Sequence, residues 1–516
     1  MFGYASTAWL QTGFWQRFLI AAGCIGFADW LFYGHMPGVS LALFLGVLAV
    51  LTALTSPIRA ARHTQLIALA VVLMGLLPIV NDINMLSVIF GMTGLTLFAL
   101  LLSNTDRSWR TLLPHAILKP FSGPFRFAVD ACQFGKLLHG VLGVLKVRAW
   151  LFSWIVPIVL GALFLELFAS ANPIIEHWLW SFEWQGTNSL VEPIRGGFWV
   201  VILFATWPFL SVRALPDRAK PAAETRLTEA LPRDFGGLFG ASAMLRSLVL
   251  FNILFAFQTT MDLTYLWSGA SLPDGMTYAT YAHRGAYPLM ITALLAAGFV
   301  LAVMRRSGPG IGSKPIRVLV LIWTLQNVML VISSIFRLDL YVATYSLTYL
   351  RVAAFVWMVL VAVGLALIVA QILLKRSNDW LLTMNAAAVV CALYVCSLTN
   401  FPYLVADYNL THASVGHRLD TGYLASLGPE AIPVIDRYLE QGGERMIGQP
   451  NAFSRYDLRI DLMLRRNEMA DALNRLQKDW RAWSFSAWRL SLYLAKKGSI
   501  RPLPATENTP PPKPET

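Results

Sequence analysis

Apolar residues in this chain fall into long uninterrupted runs, each bounded by charge, instead of recurring at the spacing of a one-sided helix or strand. An α-helix rises 1.5 Å per residue, so about 20 mostly apolar residues cross the hydrocarbon core of a bilayer. Runs of that length lie near 15–33, 36–55, 64–81, 84–103, 149–170, 196–213, 244–266, 286–304, 316–336, 351–374 and 380–402. In lipid each backbone amide and carbonyl must be paired within its own segment, and the runs lack the ten-residue alternation of barrel strands. The pattern predicts an all-α polytopic membrane protein with about 11 transmembrane helices and, after them, a small C-terminal helical domain.

The loops between runs alternate in charge. One set carries Arg17, Arg59 and Arg62, seven cations from Arg107 to Arg148, six from Arg213 to Arg246, four from Arg305 to Arg317, then Lys375 and Arg376. The other holds only Arg195, Arg284, Arg337 and Arg351. Cationic loops stay on the cytoplasmic side, so twenty-two against four supports the span count and an inside N-terminus. Eleven crossings then place the tail outside, in the periplasm of a bacterium, with the protein in the inner membrane. Arg17 is the only cation near the first run, and three apolar residues separate it from the lipobox-like Ala21-Ala22-Gly23-Cys24. That is too short for a signal core, so an uncleaved anchor is expected.

Composition agrees: 56% of residues are hydrophobic and 14% charged, against about 25% charged in soluble domains. The net charge of +12 follows from topology and calls for no nucleic acid; the basic loops suit anionic headgroups. Four cysteines are too few for a disulfide framework and are read as free thiols.

Polar interruptions divide the chain. Residues 1–213 form a six-span bundle whose inner connection, 104–148, places apolar residues beside lysines as in headgroup-plane helices. Residues 214–243 read as a cytoplasmic hinge, 244–402 as a five-span bundle, 403–500 as a membrane-associated helical domain and 501–516 as a disordered tail. In the tail, WRAWSFSAWRLSLYLAKK brings three tryptophans together with four cations. It suits a bilayer interface or packing onto the domain equally well.

The stretches TYATYAHRGAY, RLDLYVATYSLTYLR, NFPYLVADYNLTHA, LDTGYLASLGPEAIPVI and DWRAWSFSAWRL, in that order, resemble bacterial multi-pass membrane proteins grouped as domain-of-unknown-function family 4173. The resemblance covers residues 240–495 and brings no reaction, cofactor or ligand.

Chemical motifs are few. GPGIGSKP lacks the Gly-Lys-Ser/Thr order of a phosphate loop, and His412 with His417 are five apart, on different faces of a helix. No metal site, cofactor or catalytic residue is assigned. Polar residues at membrane depth carry more weight. Asp29, Glu166 and Asp262 lie near outer span ends; Asn252, Gln258 and Asp262 follow one helix, and Gln326 with Asn327 notch another. Interhelical hydrogen bonding and a polar cavity are both open readings.

At the outer face, Tyr278 and Tyr281 share a helical face, and Tyr341, Tyr345 and Tyr349 recur every fourth residue. Arg284, Arg337 and Arg351 sit where topology selects against cations, and arginine grips carboxylates and phosphates with paired hydrogen bonds. The candidate ligand site is therefore Asp262, Tyr278, Tyr281, His283, Arg284, Arg337, Tyr341, Tyr345 and Arg351, for a small polar or anionic ligand. Anchoring of span ends to headgroups is the competing account. The functional expectation is a non-enzymatic component in sensing, transport or envelope assembly, with the bilayer and a second membrane protein as partners. The alternative is a transferase or hydrolase acting on a lipid-linked substrate, for which His283 with Asp262 is the only loose acid-base pair.

Overall fold

The computed structural model of the chain describes residues 4–55, 60–103, 112, 115–116, 118–138, 193–210, 241–267, 313–412, 419–441 and 452–497. The runs expected at 149–170 and 286–304, most of the 214–243 hinge, the TYATYAHRGAY stretch and the 501–516 tail lie outside these residues. Every regular element among the described residues is helical. The helices are α1 (Tyr4–Phe32), α2 (Val39–Thr55), α3 (Arg62–Asn81), α4 (Met85–Ser103), α5 (Gly123–Leu138), α6 (Pro193–Leu210), α7 (Ala241–Asp262), α8 (Lys314–Tyr345), α9 (Tyr349–Leu373), α10 (Asn378–Leu398), α11 (Phe401–Thr411), α12 (Thr421–Ser426), α13 (Ile432–Glu440), α14 (Ala452–Leu476) and α15 (Phe485–Lys497).

Five of them, α3, α4, α8, α9 and α10, are long and apolar enough to cross a membrane; α2 and most of α6 are shorter apolar helices. Their outward surfaces explain the sequence pattern. α9 leaves Leu350, Trp357, Val359, Val363 and Leu373 exposed, and α10 leaves Leu382, Val389, Val390 and Val395 exposed. An apolar belt of that kind is covered by lipid tails, since water would leave it a large aggregation-prone patch. The chain is a multi-pass membrane protein.

The chain divides into two compact units, one formed by Met1–Pro216 with Leu476–Phe485 and the other by Asp217–Arg475 with Ser486–Thr516. In the first unit α3 and α4 form a tight antiparallel hairpin. A Cβ on Gly75 would lie 2.7 Å from the Phe90 carbonyl, and one on Gly94 would lie 3.1 Å from Gly75 Cα. Lipid offers no hydrophobic drive between helices, so small residues that let backbones approach are what bring such a pair together. The hairpin turn is closed by a reciprocal cap, in which Ser87 N donates to Asn84 Oδ1 and Asn84 N to Ser87 Oγ, both at 2.9 Å. The core continues into α1, α2 and α6 through Leu31, Leu45, Leu48, Trp207, Phe209 and Leu210.

Residues 476–485, read from sequence as part of the tail domain, pack in this first unit against the turn between α1 and α2. Val39 N donates to Trp483 O at 2.7 Å. A Cβ on Gly38 would fall on the Ala482 backbone, so only glycine fits. The Arg481 guanidinium lies 4.9 Å from the Trp30 ring and 5.7 Å from that of Trp480, and His35 Nδ1 reaches Asp479 Oδ2 at 2.6 Å.

In the second unit α7 and α8 run parallel, since Asn252 meets Leu319 and Gln326 while Asp262 meets Arg337. α8, α9 and α10 follow as an antiparallel meander through short turns. The residues after α10 build their own core from Val405, Leu424, Ile432, Ile435, Leu462, Met463, Leu473 and Leu490, with Leu347 and Val352 packed against it.

Candidate functional site

The polar positions of α7 and α8 meet along one seam. Asn252 Nδ2 donates to Leu248 O at 2.7 Å within its own helix and to Leu319 O at 3.2 Å across the seam. Gln326 Nε2 returns a bond to Asn252 O at 3.2 Å. Ten residues beyond Asn252, Asp262 forms an ion pair with Arg337 of α8, both side chains nearly inaccessible. Gln258 Nε2, one turn back, donates to Asp262 Oδ1 at 3.0 Å. Charges this deep are costly unless paired, and the pair is worth most as a device that fixes which helix faces which.

The helix changes character at this pair. Leu263–Trp267 winds as a π-turn, a wide form that costs backbone regularity and recurs at functional positions. Trp267 Nε1 donates to Ser333 Oγ at 3.3 Å, and its ring meets Phe336 edge-on at 5.1 Å. The π-turn is thereby tied to α8 one turn from Arg337.

A second cluster forms at the C-terminal end of α8. Arg351, in the first turn of α9, donates through Nη1 to the Tyr345 carbonyl at 2.6 Å and to that of Ser346. Its guanidinium lies 4.5 Å from the Tyr341 ring and 5.9 Å from that of Tyr345. Positive charge at a helix C-terminus satisfies orphan carbonyls and complements the helix dipole; the ring faces add a cation–π attraction. The turn itself is held by the tail. Asn409 of α11 accepts from Leu347 N at 2.6 Å and donates to Leu347 O at 2.9 Å, and the Tyr423 hydroxyl accepts from Tyr349 N at 3.1 Å. Close by, burial and then the Asp339 carboxylate raise the Tyr408 hydroxyl above its usual range.

Of the sequence-predicted residues, the structure thus joins Asp262 of α7 with Arg337 of α8, and Arg351 of α9 with Tyr341 and Tyr345 of α8. Tyr278, Tyr281, His283 and Arg284 lie outside the described residues. The third described cation of the sparse loops, Arg195, pairs with Asp29, which also accepts from Trp199 Nε1 at 2.8 Å. Each of these three arginines therefore has an intramolecular role. The polar notch of Asn252 and Gln326 serves interhelical hydrogen bonding. Gln258 and Asp262 carried a sequence signal, their four-residue spacing. Ser333, Trp267 and Asn409 carried none, because their roles arise only from which helix faces them. Among the described residues no group of three or more His, Cys, Asp or Glu is placed to hold a metal ion, and Cys24, Cys391 and Cys396 are free thiols.

Residues 68–438 match the family model described as a domain of unknown function, DUF4153. The chain belongs to this family. That corrects the resemblance to family 4173, and it moves the boundaries: the match takes in the N-terminal half from α3 onward and ends in α13. The DUF4153 match covers both polar clusters and stops before α14 and α15. Neither the curated proteins nor the solved structures give a match.

Proposed function

We propose that this DUF4153 chain is a non-enzymatic component of the bacterial inner membrane that binds a small polar or anionic ligand at its outer face and passes occupancy to its tail. The observation that carries this reading is the setting of Arg351. Its Nη1 is committed to the end of α8, while Nε and Nη2 are left to a ligand beside the half-exposed ring of Tyr345. A guanidinium held in place by carbonyls and ring faces has little rotamer freedom left to lose on binding, which favours capture of a carboxylate or phosphate. The turn below it is gripped by Asn409 and Tyr423, so a ligand that shifts Arg351 acts directly on the tail. Tyr278, Tyr281, His283 and Arg284 complete the proposed shell, with Asp262 and Arg337 as its buried base.

The topology proposed is eleven crossings with the N-terminus inside and the tail in the periplasm. One observation supports it. α7 and α8 are parallel neighbours, which calls for a returning span between them, where the 286–304 run lies. The test of the reading replaces Arg351 with Gln and, separately, with Lys, and follows membrane abundance beside the phenotype of gene deletion. Normal abundance with lost complementation in Arg351→Gln supports a ligand site; full complementation by Arg351→Gln removes it.

A further inference from the structure

The turn into α5 holds a charge that the rest of the fold leaves unanswered. Lys119, just ahead of the 3₁₀ turn Pro120–Ser122 that opens α5, is only 4% exposed. Its carbonyl is used twice, accepting from Ser122 N at 3.0 Å and from Ser122 Oγ at 2.6 Å. Its ammonium is not used at all in this way. Among the described residues Nζ has no hydrogen-bond acceptor, and what it meets is the face of the Phe209 ring at 5.5 Å.

The electrostatics around it are one-sided. Burial and then the Arg126 charge hold the ammonium well below the ordinary lysine range, and no described carboxylate offsets them. Asp130, the acid further along α5, accepts from Trp207 Nε1 at 3.2 Å. The helix adds to the imbalance, because its amino end carries partial positive charge and its first turn holds no acid. A buried cation without an opposite charge is costly, so such a place calls for an anion.

Another face of the same segment is bare and apolar. Leu118, Phe121 and Phe125 recur at three- and four-residue spacing, with Phe121 79% and Phe125 74% exposed. Phe127, on the packed side, meets the Trp207 ring edge-on at 4.9 Å, so that side is turned to α6 and the two exposed phenylalanines away from it. In a multi-pass membrane protein such a stripe lies against lipid.

We infer that the start of α5 binds one anionic phospholipid, its phosphodiester neutralising Lys119 beside Arg126 and its acyl chains lying over Leu118, Phe121 and Phe125. A lysine carries its charge on a flexible four-carbon stem, so the ammonium can follow the phosphate to the edge of the α5–α6 contact while the stem stays buried. The apolar stripe is what selects a lipid over free phosphate. The inference holds for either orientation of the chain in the bilayer and does not use the Arg351 site, which belongs to the other compact unit.

The test places the full chain in nanodiscs of mixed phosphatidylcholine and phosphatidylglycerol and identifies by native mass spectrometry the lipids retained on release. Wild type is expected to keep one phosphatidylglycerol in preference to phosphatidylcholine. Lys119→Met, which loses no side-chain hydrogen bond and should fold, is expected to lower that preference roughly tenfold, the order that follows from losing one close charge pair. Phe121→Ser combined with Phe125→Ser should lower it as well, and Arg489→Gln, which removes an exposed cation elsewhere, should not. Equal retention of the two lipids by wild type, undiminished preference in either site variant, or an equal loss in Arg489→Gln overturns the inference. So does a dimer that dissociates in the phenylalanine variant, which would assign the stripe to a second copy. A thermal shift produced by sn-glycerol 3-phosphate in pure phosphatidylcholine discs, and not by phosphatidylglycerol, would overturn it too and assign the cations to a soluble ligand.

Discussion

Arg351 closes the helix that ends at Tyr345: its Nη1 donates to the Tyr345 carbonyl at 2.6 Å while its guanidinium lies 4.5 Å from the Tyr341 ring and 5.9 Å from that of Tyr345. One side chain thereby caps α8, fixes the turn into α9 and presents its remaining donors beside a surface tyrosine. Removing it uncouples these roles. Arg351→Ala should cost about 1–2 kcal/mol of stability, from the lost carbonyl bonds and the lost cation–π contact. Arg351→Lys should recover roughly half, since an ammonium keeps the charge but not the planar fork. Thermal unfolding in nanodiscs reads both.

Asp262 and Arg337 should be destabilising to split and cheap to replace together. A lone buried charge left behind costs about 3–5 kcal/mol, whereas an apolar pair of similar volume is often neutral. Asp262→Leu and Arg337→Leu are each expected to lower the unfolding midpoint by several degrees, and the double variant to recover most of the loss. A double variant that is as unstable as the sum of its parents would contradict a simple ion pair.

The strap of residues 476–485 should depend on Gly38 and on pH. Gly38→Ala places a methyl on the Ala482 backbone, so hydrogen exchange in 476–485 should accelerate while α3 and α4 stay protected. Asp479 is held below the usual carboxylate range chiefly by the Arg481 backbone amide, with His35 and the Arg481 charge adding to it. A lowered acid pKa contributes stability above the unfolded value near 3.8 and loses it as pH falls further. Strap protection is therefore expected to hold at neutral pH and to fade below about pH 4.

Lys119 sits between α4 and α5 with its ammonium buried, 5.5 Å from the Phe209 ring. Burial, assisted by Arg126, pushes it down to about 7. Between that value and its ordinary 10.5 the unfolded chain binds the extra proton, so stability should rise as pH climbs from 7 towards 10. Lys119→Met should abolish this slope and raise stability at pH 7 by at most about 4 kcal/mol. A variant that keeps the slope would place its origin elsewhere.

The membrane class was legible because uncharged runs cannot be hidden in water, and the helix hairpins follow from those runs. Pairing was not. Nothing in the order of residues says that Asp29 meets Arg195 or that Trp483 meets Val39, because such contacts depend on how separate helices dock. The three described arginines of the sparse loops stood out in the sequence, yet each answers to a nearby helix end or carboxylate. A cation in a sparse loop signals a partner without saying whether that partner is the protein itself.

The central claim is that Arg351 and its tyrosines hold a ligand in addition to holding a turn. The double variant Tyr341→Phe with Tyr345→Phe tests it most directly, because it keeps the rings, the cation–π contact and the α8 cap while removing only the hydroxyls. Membrane abundance and complementation of the gene deletion are measured together. The account predicts wild-type abundance with complementation reduced at least tenfold; full complementation at wild-type abundance would contradict it and leave the cluster a helix anchor.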